Sequence, residues 1–220
     1  MKVICFDLDD TLYKEIDFLK SAYKEIVTYA LSQSSCKDSF EVVYEAMLSS
    51  YMNGFNAFEE LNDRLINQRE VSEYLTIYRN HIPDISLTED VYKVLATIKR
   101  KGDVIGLITD GRIIQQRNKI AALGLWDFIS NENVVISEEF GTGKPDLANY
   151  QYFMFLYPEA DAYIYVGDNS QKDFFAPNKL GWKTICIKDD GRNIHKQDFS
   201  LENIFLPQIV VNSLSEIKLF

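Results

Sequence analysis

The first apolar run, Val3-Ile4-Cys5-Phe6, stops abruptly at Asp7-Leu8-Asp9-Asp10-Thr11. A short apolar run bounded by polar turn residues predicts a buried strand. Between residues 14 and 86 the pattern changes, and apolar positions recur at steps of three and four. Ile16, Leu19, Tyr23, Ile26 and Ala30 mark one amphipathic helix. Phe40, Val43, Met47 and Tyr51 mark a second, with Asp38 three before Glu41 as its start signal and Gly54 as its stop. Phe58, Leu61 and Leu65 predict a third, and Val71, Tyr74, Leu75 and Tyr78 a fourth that Pro83 closes.

From Leu87 onward the pattern alternates between helix and strand. Thr88 caps a helix carrying Val91, Val94, Leu95 and Ile98, and Gly102 ends it. Val104 to Ile108 reads as a strand, Ile113 to Leu123 as a helix ending at Gly124, and Val134 to Ile136 as a short strand. A helix through Leu147, Tyr150 and Met154 stops at Pro158; Ala162 to Val166 and Thr184 to Ile187 are strands, with a helix to Leu180-Gly181 between them. Asp189 to Asn203 is polar and irregular. Ile209 to Val211 reads as a last strand, and Ser213 with Glu216 as the capping box of a short terminal helix. Strands that alternate with helices and are almost wholly apolar predict a parallel sheet covered on both faces.

Composition narrows the function classes. With 46% hydrophobic and 25% charged residues among 220, the chain has the make-up of a soluble globular protein. It is long enough for an α/β core with a smaller attached module. The formal charge of −10 argues against general nucleic-acid or anionic-membrane binding, both of which use clustered Lys and Arg. A small anionic ligand stays open, since a few local cations dominate one pocket. Cys5, Cys36 and Cys186 are far apart, outside any close-spaced metal pattern, and fit a reducing compartment. Met1-Lys2 leads straight into the first strand, leaving no room for a signal peptide, and no apolar run approaches the roughly 20 residues of a membrane helix. The expected location is the cytoplasm.

Asp7 and Asp9, two apart in an extended chain, project to one side, so two like charges need a compensating cation. A divalent metal is the simplest candidate. Taken alone, Asp9-Asp10-Thr11 reads equally well as a strand-to-loop turn. Other polar clusters, however, stand at the ends of later strands: Thr109-Asp110-Gly111, Lys144-Pro145 in the loop after the third strand, and Gly167-Asp168 through Asp173. In doubly wound sheets ligands bind at those carboxyl ends. Carboxylates, a hydroxyl and a lysine around a hard cation are the parts phosphoryl transfer uses, and a carboxylate serves as nucleophile by forming an aspartyl-phosphate.

These four clusters, in this order, resemble the motifs of the haloacid dehalogenase superfamily of phosphohydrolases, over roughly residues 1–13 and 87–211. The resemblance implies a Rossmann-like core of residues 1–13 and 87–220, with residues 14–86 as an α-helical cap. It also implies a Mg²⁺-dependent phosphatase acting on a small phosphorylated metabolite, such as a sugar phosphate or nucleoside monophosphate. Asp7 would be the nucleophile and a metal ligand, and Asp9 the general acid/base and, through its backbone carbonyl, a second ligand. Asp168 would ligate directly and Asp173 at one remove. Thr109 would hold phosphoryl oxygens while Lys144 balances charge. Tyr13, Lys14, Asp110, Gly111 and Arg112 are substrate-binding candidates, as is the aromatic turn Tyr51 to Phe55.

The presence of Asp9 disfavours dehalogenation, because the dehalogenases of the superfamily lack the second acidic residue. A phosphonatase would need a cap lysine as Schiff base, and nothing singles out Lys14, Lys20 or Lys24. A phosphomutase shares every motif and stays open. So does a non-catalytic phospho-ligand binding or signalling protein, although receiver domains complete their acidic cluster before the lysine, and here Asp168 and Asp173 follow Lys144. Asp10 is read as shaping the chain's exit from the first strand, and His81 and His195 are unassigned. Oligomeric state is open.

Overall fold

A computed structural model describes residues 1–218. The chain divides into two compact units, Met1–Ile16 with the residues from Ile85 onward, and Asp17–Asp84.

The larger unit is built on β1 (Lys2–Phe6), β2 (Val104–Thr109), β3 (Val134–Ile136), β4 (Ala162–Gly167), β5 (Lys183–Ile187) and β6 (Ile209–Val211). Among the described residues these form one sheet in the order β3-β2-β1-β4-β5-β6, every pairing parallel. β1 lies at the centre, with Phe6 opposite both Leu107 and Val166. Sequence-adjacent β2 and β3 lie to one side of it and β4 to β6 to the other, so the carboxyl ends of β1 and β4 flank the point where strand order reverses. That is where an open α/β sheet leaves a ligand crevice. The strand sequences are almost wholly apolar because both faces are covered: Val3, Ile4, Cys5 and Phe6 are all fully buried.

On one face Val3, Cys5, Ile108, Val135 and Tyr165 pack with Tyr150, Phe153 and Trp182. Here the helix Ala148–Leu156 comes close because β2 carries Gly106. A Cβ at that position would lie 2.5 Å from the Phe153 ring and 2.6 Å from the Cys5 sulfur. Cys5 and Cys186 are buried in this apolar layer, as small hydrophobes.

The smaller unit is all-helical: most of the helix Glu15–Gln33, then Phe40–Met52, Ala57–Arg64 and Val71–Asn80. Its core holds Tyr23, Ile26, Ala30, Val43, Met47, Leu61 and Tyr74. Tyr51 packs against Tyr23 at a centroid distance of 6.3 Å, whereas Met52 and Phe55 of the same turn are exposed. His81 is buried against the Phe18 ring, 4.6 Å between centroids.

Two local expectations are corrected. The second helix is capped by Ser39, whose side chain accepts from the Val42 amide, and Asp38 instead pairs with Arg64 at 2.8 Å. Of the expected terminal helix a single 3₁₀ turn, Leu214–Glu216, is found among the described residues; the Ser213 side chain makes no capping bond and the Glu216 carboxylate accepts from the Asn212 amide at 3.0 Å. Both sequences have capping spacing, but neighbouring partners take the side chains first.

Candidate active site

The carboxyl end of β1 carries Asp7, whose amide still pairs with the Val166 carbonyl of β4 at 2.9 Å. Sheet pairing therefore extends one residue past the strand and fixes the carboxylate's origin. Asp7 and Lys144 form a buried ion pair, Oδ1 to Nζ 2.8 Å. The same ammonium lies 2.8 Å from Asp173 Oδ1 and 3.1 Å from the Tyr165 hydroxyl, and its side chain is wholly buried. Lys144 is supplied by the loop after the one-turn helix Ser137–Phe140, next to a cis peptide at Pro145, and its amide donates to Asp110 Oδ1 at 3.0 Å. Burial penalises this ammonium, but the charges of Asp173 and Asp7 outweigh that penalty and hold its pKa well above the ordinary lysine value.

Asp168 closes β4. Its amide and that of Asn169 donate to Asp173 Oδ2 at 3.0 and 2.8 Å, so Asp173 shapes the turn while its other oxygen takes the lysine. An oxygen from each of Asp7, Asp168 and Asp173 lies within 4.8 Å of the others. Burial, then the charges of Asp173 and Asp7, push the Asp168 carboxyl up to about 9. Asp7 is pushed by burial to about 6, with Asp173 adding to the rise and Lys144 opposing it. Three buried carboxylates against one embedded ammonium leave excess negative charge, and all-oxygen donors suit a hard divalent cation. The donor set fits Mg²⁺.

Asp9 points into a different environment. Its Oδ1 accepts from the Lys119 ammonium at 2.7 Å and the Tyr13 hydroxyl at 2.5 Å, and its Oδ2 from Gln116 Nε2 at 3.0 Å. Burial would raise this carboxyl, but the charge and hydrogen bond of Lys119, with help from Tyr13 and Gln116, bring it below the usual carboxylate range. Glu15, whose Oε1 is 4.0 Å from the Lys119 ammonium, moves the other way: burial and the Asp9 charge push it to about 8. Thr109, at the end of β2, is buried and its hydroxyl accepts from Gln116 at 2.6 Å.

Asp7, Asp9, Thr109, Asp110 and Asp168 line one cavity, together with Glu15, Lys172 and His195 among others. The ammonium of Lys172, which also lines the cavity, is 3.3 Å from Asp110 Oδ2. Other predicted contacts are placed elsewhere. Arg112 is half exposed and lies 3.6 Å from Glu138, and the Gly111 amide donates to Ser137. Tyr13 is committed to Asp9. Lys14 donates to Asn193 Oδ1 at 2.6 Å, and Asn193 in turn donates to Asp168 Oδ2 at 2.9 Å. Asp10, at φ 55°, accepts from the amides of Glu15 and Ile194, both at 2.9 Å, and so ties the turn after β1 to the polar segment after β5. Gln197 of that segment donates to the Asp168 carbonyl at 2.8 Å.

The residues not singled out from the sequence are thus Gln116, Lys119, Glu15, Lys172, Asn193 and Gln197. A signal existed for two of them. Gln116 and Lys119 occupy the stripe of Ile113, Ile120 and Leu123 at helical spacing, where a buried polar residue requires a partner.

A doubly wound parallel sheet with acidic, hydroxyl and lysine side chains gathered at its carboxyl ends defines a phosphohydrolase-type centre. The chain belongs to the haloacid dehalogenase-like hydrolases, whose family model matches residues 4–187. It is 28% identical to a glyceraldehyde 3-phosphate phosphatase of Methanocaldococcus jannaschii over 99% of this chain and 95% of that protein. A second such phosphatase, from Pyrococcus furiosus, is 28% identical over 86% of this chain and 81% of that one. Among solved structures, a HAD hydrolase of Bacillus subtilis bound to magnesium has the same fold, with a TM-score of 0.65 at 15% identity over 98% of this chain and 96% of that one. A HAD phosphatase from Thermococcus onnurineus matches with a TM-score of 0.58 at 19% identity, over 98% and 95% of the two chains.

Proposed function

We propose that this protein is a Mg²⁺-dependent phosphatase that hydrolyses a small phosphorylated metabolite through an aspartyl-phosphate on Asp7. The observation that carries the reading is the placement of Asp7: a buried carboxylate on a cavity wall, paired with Lys144 at 2.8 Å and grouped with Asp168 and Asp173 at cation-sharing distance. With its pKa near 6, Asp7 is mostly ionised at neutral pH and ready to attack phosphorus. Lys144 cannot leave this position without stranding two buried charges, so it is a preorganised partner for the oxygens of the transferring group. The Thr109 hydroxyl, which accepts from Gln116, is left with its own proton to donate to a phosphoryl oxygen.

Asp7, Asp168 and the Asp9 carbonyl are the groups proposed to hold Mg²⁺, with Asp173 behind them. When bound, the ion supplies positive charge to the phosphoryl oxygens and to Asp7. Asp9 is proposed as the acid that gives a proton to the leaving oxygen, and then as the base toward water. Its lowered pKa keeps it in the ionised form from which the base half starts, and the negative charge of an incoming phosphoryl group favours protonation for the acid half. The helical unit is assigned as the cap by its all-helical make-up and its place in the chain between the first motif and the rest of the core.

The relatives named as glyceraldehyde 3-phosphate phosphatases, matched over nearly the whole chain, support a short phosphorylated metabolite as substrate. A phosphoserine phosphatase of Thermus thermophilus, 31% identical over 60% of this chain and 51% of that protein, supports the same class. The test is phosphate release from p-nitrophenyl phosphate and a metabolite panel that includes both compounds. Release is expected with Mg²⁺, is expected to stop on chelation, and is expected to vanish in Asp7→Asn. Robust turnover by Asp7→Asn, or none by the wild type across the panel, would overturn the reading.

A further inference from the structure

We propose that Lys119 and Gln116 are positioning residues that hold the Asp9 carboxylate for proton transfer, with Oδ1 as the fixed oxygen and Oδ2 as the working one. The proposal rests on the assignment of Asp9 as acid/base. Both residues lie on the helix Ile113–Ala122 that leaves the second motif, one turn apart, and both are 1% exposed. A buried lysine is costly unless its charge is met, and this one ends 2.7 Å from Asp9 Oδ1.

The two oxygens of Asp9 are treated unequally. Oδ1 takes two donors, Lys119 and the Tyr13 hydroxyl, and so has little room for a proton of its own. Oδ2 takes only the Gln116 amide nitrogen, at 3.0 Å. That nitrogen is also 2.6 Å from the Thr109 hydroxyl and 3.2 Å from the Asp110 carbonyl. Gln116 therefore releases Oδ2 without being left unpaired, and a proton on Asp9 settles on Oδ2.

In the first step an Asp7 carboxylate oxygen bonds to phosphorus as the bond from phosphorus to the leaving oxygen breaks, the electron pair of the broken bond passes to the leaving oxygen, and that oxygen takes the proton from Oδ2. In the second, Oδ2 takes a proton from the attacking water as the water oxygen bonds to phosphorus, the bond between phosphorus and Asp7 breaks with its electrons returning to the Asp7 carboxylate, and inorganic phosphate is released. Both transfers demand that Oδ2 be held at hydrogen-bond distance, and a carboxylate clamped at Oδ1 by two donors meets that demand without reorganisation.

The experiment compares kcat/KM for two substrates, p-nitrophenyl phosphate and glyceraldehyde 3-phosphate, in wild type, Lys119→Met and Gln116→Met. The aryl leaving group departs with little proton help, whereas the alkoxide needs it. A positioned general acid contributes about 10²- to 10⁴-fold, so Lys119→Met is expected to lose at least ~10-fold more kcat/KM on the alkyl than on the aryl phosphate. With the aryl substrate it should show a burst of nitrophenolate stoichiometric with enzyme, because hydrolysis of the aspartyl-phosphate has slowed. Gln116→Met, which introduces no charge imbalance, should show the same selectivity in weaker form and serves if Lys119→Met does not fold. Equal losses on both substrates without a burst, in a variant with wild-type thermal stability, would overturn the proposal. The wild-type rates on the same two substrates report separately on the phosphatase reading, and Asp9→Asn on the acid assignment: its failure to discriminate between the substrates would overturn both that assignment and this proposal.

Discussion

Replacing Asp168 by asparagine should flatten the pH dependence of stability in the metal-free protein. Asp168 has its carboxyl pushed from 3.8 to about 9 by burial and by the charges of Asp173 and Asp7. Its folded-state pKa is above the unfolded one, so the associated stability is fully present below pH 3.8 and is lost as pH rises toward 9. Between those limits the folded state holds one proton that the unfolded chain does not, a slope of about 1.4 kcal/mol per pH unit. From pH 6 to pH 8 the wild type should therefore lose roughly 3 kcal/mol through this residue, or roughly 6–12 °C in Tm for a chain of this size. Asp7 and Glu15, pushed by burial to about 6 and about 8, add to the wild-type slope, so the informative quantity is wild type minus Asp168→Asn. The substituted amide side chain keeps an oxygen to accept from Asn193, which limits structural damage. The assay is thermal unfolding in chelator at pH 6, 7 and 8, repeated with saturating Mg²⁺, which should remove the Asp168 share of the wild-type loss and act less on the variant, which keeps only Asp7 and the Asp9 carbonyl. A wild-type Tm that is flat or rising over this range in chelator, or a variant that follows the same slope, would refute the argument.

Other substitutions probe the neighbouring contacts. Lys144→Met strands Asp7 and Asp173, each 2.8 Å from the missing ammonium, and should cost about 3–5 kcal/mol in urea unfolding at pH 8. The cost should shrink at pH 5, where Asp7, pushed up to about 6 by burial, takes up a proton; an unchanged urea midpoint would contradict the pairing. Gly106→Ala should cost about 1–3 kcal/mol by forcing a methyl into the Phe153 ring and the Cys5 sulfur, and Phe153→Leu in the same chain should return part of it. Additive losses in the double variant would show that the contact is not the cause.

Much of the core was legible in the sequence because its signals are local. Apolar runs such as Val3 to Phe6 and Ala162 to Val166 had to be buried strands, and the residues that interrupt them, Asp7, Thr109 and Asp168, had to fall at strand ends. The two-residue spacing of Asp7 and Asp9 demanded positive charge nearby. Other local signals misled: Asp38 and the Ser213-Glu216 pair have capping spacing, but Arg64 and the Asn212 amide claim the side chains. Spacing records which bonds are possible, and competition among partners decides which form.

Only the tertiary structure decided what compensates each charge. The order β3-β2-β1-β4-β5-β6 is a set of pairings between distant segments, and it brings Lys144 to Asp7 and Asp173 rather than to solvent. Asp10 is the clearest case. In the sequence it is one more carboxylate in an acidic turn; in the fold it accepts from Glu15 and from Ile194, 184 residues away, and holds a polar segment against the site. Lys119 and Gln116 likewise reach Asp9 across more than a hundred residues. The chain's own pattern determined that carboxylates would gather at the end of a parallel sheet. Which of them met Lys144, which met Lys119 and which braced a loop depended on neighbours that only folding brings within a few ångströms, where a buried charge must find its partner.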